Sequence, residues 1–165
     1  MMAALPSPSG ATPPRFEPEF IAALKHLFEQ RIVFNLVLGL RIDTLEADTV
    51  RGHLEMREEL VGHYTHQRLH GGVISAALDA IGGLAVMAAI GARHLDEPIE
   101  ARLTRFGKLG TIDLRIDYLR PAVGARFELA GQVLRLGSRV ANTRMEFFDA
   151  QGKLLASGAA AYIVS

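Results

Sequence analysis

One stretch, RLHGGVISAALDAIGGLAVMAAI at residues 68–90, restricts the possible folds of this chain more than any other segment. From residue 71 to residue 90 the side chain of Asp79 carries the only charge. An apolar run of this length buries itself, and burying an ionised carboxylate without a partner costs several kcal/mol. Asp79 must therefore either face a cavity, where it can do chemistry, or pair with another group.

Hydrophobic periodicity predicts the elements around this run. Residues 17–33 are predicted to form an N-terminal helix with one apolar face, and residues 71–91 a second helix that is apolar nearly all round. Short alternating segments predict two strands before the second helix and four after it, at residues 38–47, 48–57, 110–121, 126–137, 138–151 and 153–164. The charged segment 92–108 is expected to be a surface loop or a short helical turn.

This order predicts an α+β fold in which a curved antiparallel sheet of about six strands wraps around one long apolar central helix. A sheet covers only one side of a helix. We therefore expect a partner subunit to cover the other side of the central helix.

Composition narrows the class of protein. A length of 165 residues predicts a single domain at residues 16–165, after a flexible Pro/Ser/Ala-rich tail at residues 1–15. Lys plus Arg and Asp plus Glu both number 18, so no basic surface for nucleic acid or an anionic membrane is expected. The chain has no cysteine, which excludes disulfides and thiolate chemistry. The tail lacks the features of a signal peptide, and we expect a cytoplasmic protein without a membrane span.

Two motifs, LHGGVISAALD at the start of the central helix and GTIDLRIDYLRPA on the following strand, together carry a family resemblance. The chain resembles the hotdog-fold acyl-CoA thioesterases of the phenylacetate-pathway (PaaI-like) group, and within it the YigI-type medium- and long-chain acyl-CoA thioesterases. The resemblance runs from about residue 20 to the last residue. It implies hydrolysis of an acyl-CoA, with no cofactor and no metal, by a homodimer or a dimer of dimers.

The resemblance also implies catalytic roles for four residues. The Gly71 N–H polarises the thioester carbonyl, and Asp79 acts as general base or nucleophile. Thr111 stands where relatives often carry a Ser or Thr that helps to place the attacking water. His63 stands in the loop where relatives carry an Asn, which leaves the role of that loop open.

Five further residues are implied to bind substrate. His70 and Gly72 complete the start of the central helix. The basic side chains of Arg135, Arg139 and Arg144 flank a predicted turn and are candidates for contact with the phosphates of coenzyme A. They could equally be solvated charges at a strand edge.

Helix geometry adds a constraint of its own. A helix N-terminus with glycine is a suitable site for a developing oxyanion, because its N–H groups are unpaired. Asp79, however, lies eight residues beyond Gly71, about 12 Å along the helix axis, which is too far for its side chain to reach back. Two such helices packed antiparallel about a two-fold axis would bring each Asp79 near the other helix start, so we expect active sites shared between subunits.

Each of these signals also has a structural interpretation. Gly71 and Gly72 could serve close packing, Asp79 could be a paired structural acid, and Thr111 could simply favour a strand. The histidines at 63, 66 and 70 lack a suitably spaced further ligand, so no metal site is predicted. A non-catalytic acyl-CoA-binding module and a hotdog dehydratase or hydratase are the alternative functions.

Overall fold

The computed structural model describes residues 15–165, so the predicted tail lies, apart from Arg15, outside the described residues. The helices are α1 (Pro18–His26), a π-helical turn (Leu27–Arg31), α2 (Val33–Leu38), α3 (Gly71–Arg93) and α4 (Ile99–Thr104). The strands are β1 (Arg41–Leu45), β2 (Thr49–Glu55), β3 (Val61–His63), β4 (Arg68–Leu69), β5 (Gly110–Tyr118), β6 (Arg126–Leu136), β7 (Val140–Asp149) and β8 (Leu154–Ile163).

Six of the strands form one antiparallel sheet in the order β1-β2-β6-β7-β8-β5, and α3 packs against it. The predicted architecture, a sheet of about six strands with one long apolar helix and a helix ahead of it, is confirmed. The sequence did not predict the small β3-β4 hairpin, which precedes α3 and positions its first residue. It was missed because its strands have only two or three residues each.

The inward face of the sheet follows the two-residue period of the strands. On β7, Ala141, Thr143, Met145 and Phe147 are buried and alternate with exposed or half-buried residues as far as Phe148, where the strand is irregular and the side chain is also buried. The helix comes close enough to the sheet to require a glycine on β6, because a Cβ at Gly131 would lie 2.8 Å from the Ile81 carbonyl oxygen. The sheet therefore contacts the backbone of α3 as well as its side chains.

The two halves of α3 have different surroundings. Every residue from 81 to 91 is buried, whereas most residues from 71 to 80 are only half-buried or exposed. The chain's own N-terminal helices cover the second half: α2 packs on α3, and a Cβ at Gly91 would lie 2.5 Å from the Phe20 ring. The expectation that a partner must cover one whole side of this helix is therefore wrong for its C-terminal half and remains open for its first three turns.

Length and composition alone would allow α3 to cross a membrane, since its most apolar window has a mean hydropathy of 2.1. That window is 72% buried within the fold. The helix is accordingly the core helix around which the sheet curves.

The predicted N-terminal helix is interrupted. After α1 the chain forms the π-helical turn, leaves the helical conformation at Ile32 and re-enters it in α2, which ends at Gly39 with φ +73°. The buried side-chain amide of Asn35 donates to the Phe28 carbonyl at 3.1 Å and joins α2 to the π-helical turn. The segment 92–108, expected as a loop or helical turn, contains α4 and a following turn of 3₁₀ helix.

Strand β5 lies at the edge of the sheet and is more exposed than its alternation predicts. Its pattern predicts a buried face, but Ile112 is 56% and Tyr118 54% exposed. The reason is the sheet order, because β5 pairs on one side with β8 and has no neighbour on the other. A nine-residue edge with exposed apolar side chains is a surface on which another strand can pair.

A buried cation ties α4 to the start of α1. Arg102 is 1% exposed, its guanidinium donates to Glu17 Oε1 at 2.8 Å, and its Cζ lies 4.3 Å from the centre of the Phe20 ring. This hydrogen bond, together with the charge of Arg102, lowers the pKa of Glu17. The carboxylate therefore stabilises the fold above its ordinary pKa, and that contribution is lost as the pH falls through its lowered, folded-state pKa.

We expect Glu17→Gln to lower the melting temperature by several degrees at neutral pH, because it leaves the Arg102 charge buried without a counterion. Arg102→Met, the matched control, should cost less, since it removes the charge and keeps an apolar chain over Phe20. The difference between wild type and Glu17→Gln should close in strongly acidic buffer, where the wild-type carboxyl takes up its proton. A difference that is the same at both pH values in thermal unfolding would contradict this account.

Candidate active site

Two hydroxyl groups from the sheet donate hydrogen bonds to Asp79. Thr111 Oγ1 donates to Asp79 Oδ1 at 2.9 Å. The Tyr162 hydroxyl lies 2.8 Å from the Asp79 carbonyl oxygen and 3.2 Å from Oδ1. Within residues 15–165 no donor reaches Oδ2, so one carboxylate oxygen is held and the other is open. We call Asp79, Thr111 and Tyr162 the carboxylate cluster.

The sheet register brings the two hydroxyls together. Thr111 on β5 and Tyr162 on β8 are directly opposite each other in the antiparallel ladder. Side chains of opposite residues project from the same face of a sheet, here the face that carries α3. Asp79 lies on the helix above this pair and accepts from both.

A cavity of about 270 Å³ lies beside the carboxylate cluster. It follows α3 from Ala76 past Asp79 to Met87, and α2 and the π-helical turn close it on the other side through Phe34 and Phe28. Its walls are mostly apolar. This shape suits an extended apolar group whose reactive end lies at Asp79.

The start of α3 forms a second group, the helix-start cluster of His63, His70, Gly71 and Gly72. His70 is the N-cap, and its Nδ1 accepts the Gly72 N–H at 2.8 Å. The preceding amide, Gly71 N–H, has no acceptor among residues 15–165. It is the first amide of a 23-residue helix and is available to a ligand oxygen.

The loop ahead of the helix brings His63 beside His70. A Cβ at Gly62 would lie 2.5 Å from the His70 Cα, so β3 lies directly against the helix start. The Nδ1 atom of His63 is buried without a hydrogen-bond partner, and the His63 ring stacks on His66 at 4.8 Å. In the part of the chain that the structure describes, no three His, Asp or Glu side chains converge as metal ligands would.

A second cavity, of about 340 Å³, opens beside Gly71. Tyr118, Arg68 and Arg120 line it, and the Tyr118 hydroxyl donates to the Gly71 carbonyl at 3.0 Å. None of these three residues was among the predicted site residues. The YLRP run that contains two of them lies within the quoted strand motif, but only the fold brings it to the helix start.

The predicted site residues do not converge within one protomer. Gly71 and Asp79 are about 12 Å apart along α3, and neither cavity touches both. Arg135 and Arg139 flank the β6-β7 turn, which lies near the C-terminal end of α3, about 30 Å along the helix from Gly71. Arg144 is exposed and pairs with Glu146 at 3.3 Å.

Tyr162 is the member of the carboxylate cluster that sequence reasoning missed. It stands in the alanine-rich run GAAAYIV, where its ring reads as one more apolar residue of a strand. The signal that identifies it is its register with Thr111, and strand pairing between β5 and β8 cannot be read from either segment alone.

The chain has known relatives. The family model described as Thioesterase superfamily matches residues 66–156. The medium/long-chain acyl-CoA thioesterase YigI of Escherichia coli (strain K12) is 35% identical over 138 residues, which are 84% of this chain and 89% of that protein.

Solved structures agree with this match. A crystal structure of a Shewanella oneidensis protein related to the thioesterase superfamily is 39% identical, covers 91% of this chain and 100% of its own, and superposes with a TM-score of 0.82. Thioesterase superfamily member 2 from Mus musculus shares the fold, with a TM-score of 0.68, 20% identity and coverage of 87% of this chain and 96% of its own.

Proposed function

The chain belongs to the thioesterase superfamily and is a thioester hydrolase, and on this premise we propose that it hydrolyses an acyl-CoA to the free acid and coenzyme A at active sites shared between two protomers. One observation carries the second part. This chemistry needs an oxyanion donor and a base, which the unpaired Gly71 N–H and the free Oδ2 atom of Asp79 can supply. Both groups lie on the same helix, about 12 Å apart.

The reaction needs an oxyanion donor and a base. The Gly71 N–H, at the positive end of the α3 dipole, donates to the thioester oxygen as negative charge develops there. Asp79 Oδ2 takes a proton from water as the water oxygen adds to the carbonyl carbon. The tetrahedral intermediate then collapses, the carbon–sulfur bond breaks, and coenzyme A leaves as its thiolate, which takes up the proton held by Asp79. In the alternative route Asp79 attacks the carbonyl carbon itself, coenzyme A leaves as its thiolate, and water then hydrolyses the resulting acyl–Asp79 anhydride to the free acid and the Asp79 carboxylate.

Thr111 and His63 act around these two groups. Thr111 donates its hydroxyl proton to Asp79 Oδ1, and its oxygen lone pairs remain free to accept a hydrogen bond from the attacking water. His63 stands beside the helix start with an unpartnered Nδ1, a position from which its ring can contact the bound thioester. The bond from Gly72 N–H to His70 Nδ1 gives His70 an orienting role at the helix N-terminus.

Three features support completion of the site by a second protomer. The first three turns of α3 are incompletely covered, and strand β5 has an exposed outer edge. The cavity at Asp79 has about 270 Å³, below the roughly 300–1,000 Å³ of most ligand pockets, as expected for one wall of a shared site. Antiparallel packing of two α3 helices would set each Asp79 near Gly71 of the partner subunit. We propose a cytoplasmic dimer, or a dimer of such dimers.

The phosphates of coenzyme A need cations. Arg135 and Arg139 are exposed and have no side-chain ion pair within residues 15–165, so their charges are available. Arg144 would first have to leave Glu146. Arg68 and Arg120, which line the cavity at Gly71, are further candidates for this contact.

We propose that the cavity along α3 takes the acyl chain. It extends two helical turns beyond Asp79, about 12 Å, to Met87. Such a depth fits a medium or long acyl chain, the class that the name of the Escherichia coli relative states for that protein.

Asp79→Asn should lower kcat/KM for acyl-CoA hydrolysis at least about a hundredfold, because the amide cannot accept the proton of water. Thiol release measured with decanoyl-CoA tests this. The matched control is Asp96→Asn, which neutralises an exposed carboxylate outside the site and should keep the wild-type rate. Wild-type activity in Asp79→Asn would refute the assigned role, and an inactive wild type would refute the proposed substrate.

Gly83→Leu should shift the substrate preference toward shorter acyl chains. A Cβ at Gly83 meets no atom nearer than 3.7 Å, so the backbone tolerates a side chain there, and the leucine would fill the deep half of the cavity. Across a series from butanoyl- to hexadecanoyl-CoA, we expect activity on the long chains to fall about tenfold or more while activity on the short chains persists. An unchanged profile would mean that the acyl chain binds elsewhere.

A further inference from the structure

The Tyr162 side chain packs between the sheet and α3, in space that is free because residue 82 of the helix is a glycine. The residue is 2% exposed, and a Cβ at Gly82 would collide with its hydroxyl oxygen. The hydroxyl thus reaches both the Asp79 backbone carbonyl, at 2.8 Å, and the Asp79 side chain, at 3.2 Å. No other side chain in residues 15–165 reaches both groups of Asp79.

This hydroxyl is a permanent donor. Burial, and then the negative charge and hydrogen bond of Asp79, raise the pKa of Tyr162 far above its ordinary value, against smaller opposing effects of Thr143 and the Gly83 N–H. The phenol therefore keeps its proton throughout the range in which a carboxylate base works.

We propose that Tyr162 is a positioning residue for thioester hydrolysis, which fixes the Asp79 side chain so that Oδ2 faces the reacting water. One proton serves two acceptors, the carbonyl that ties the ring to the helix and the carboxylate oxygen that the ring restrains. With Thr111 on the same Oδ1, both hydroxyls lie on one side of the carboxylate, and Oδ2 is the oxygen left for proton transfer.

This inference rests on the proposed function and goes beyond it by naming what holds the base in place. Asp79 and Tyr162 are the titratable side chains among those that line the 270 Å³ cavity. Across the proposed interface, His63 and His70 of the partner subunit would be the nearest other titratable groups. A change in the acid limb of the pH profile that follows substitution of Tyr162 alone would therefore come from the titratable group that its hydroxyl contacts, the Asp79 carboxylate.

Tyr162→Phe tests the role by removing one oxygen atom. We expect kcat to fall about tenfold or more while KM changes less than about twofold, because the base is misdirected and substrate contacts persist. The acid limb of the kcat/KM–pH profile should move to higher pH, since an ionised carboxylate that has lost a donor takes up a proton more readily. In an Asp79→Asn background the same substitution should cost nothing further.

The control is a destabilising core variant remote from Asp79. Phe147→Leu loosens the Phe147–Phe127 stack, about 20 Å along β7 and β8 from Tyr162, and should lower the melting temperature without moving the pH profile. If wild type hydrolyses acyl-CoA and Tyr162→Phe keeps its kcat and profile, the positioning role is refuted and the proposed function stands. If wild type hydrolyses no acyl-CoA, both fail.

Gly82→Ala gives an independent variant, which keeps the phenol but displaces its hydroxyl. Should Tyr162→Phe not fold, a folded Gly82→Ala protein with reduced kcat and a shifted acid limb supports the role. A folded Gly82→Ala protein with wild-type kinetics contradicts it.

Discussion

An apolar helix that carries one carboxylate can be buried only if that carboxylate has hydrogen-bond partners. The rest of this structure depends on which groups supply those hydrogen bonds. The hydroxyls of Thr111 and Tyr162 satisfy one oxygen of Asp79 and leave the other open. Two strands far apart in sequence have to pair in one register to supply them. The sheet thus encloses the helix and also orients its single acid.

The same helix limits what one chain can do alone. Its rise of about 1.5 Å per residue fixes the separation between the free amide at Gly71 and the acid at Asp79, and no side-chain rotation can close that gap. The fold itself covers the C-terminal half of the helix with α1 and α2 and leaves the first three turns incompletely covered. The uncovered part carries both of the proposed reactive groups, and β5, the strand that carries Thr111, lies at the edge of the sheet. Catalysis and association would therefore use one surface.

The sequence predicted the parts of the fold that depend on local periodicity. The central helix, the positions of the six main strands along the chain and the turn near Ala47 were readable because each depends mainly on its own residues. The order of the strands in the sheet was not, because β5 pairs with β8 and not with β6, which follows it in the chain. The break at Ile32 was not, because the apolar pattern of residues 17–33 continues across it, and only the packing of Asn35 on Phe28 distinguishes the two helical pieces. The exposure of β5 was not predicted either, because it depends on which strand lies beside it.

The residues of the candidate site also divide into those that could be predicted from local sequence and those that could not. Asp79 and Gly71 were proposed as site residues from their residue types and their place on the helix, and Thr111 was proposed from the family resemblance as a residue that places water. The hydrogen bond from Thr111 to Asp79 was not predicted. Tyr162, Tyr118 and Arg120 were missed, since their proximity to the site arises from pairing over long sequence separations. The arginines at 135 and 139 show the converse, because their charge is evident in sequence while the structure puts them at the β6-β7 turn, about 30 Å along the helix from Gly71.

Mixing two inactive variants tests the shared site most directly. Gly71→Pro removes the N–H at the first helical position, where proline is favoured, and His70 already has a φ of −66° and a ψ of 135°, which suit a residue before proline. After subunit exchange with Asp79→Asn, verified with differently tagged chains, about a quarter of wild-type activity should return, because half of the dimers are mixed and each has one intact site. Mixed dimers that form and remain inactive would contradict an active site built from two protomers.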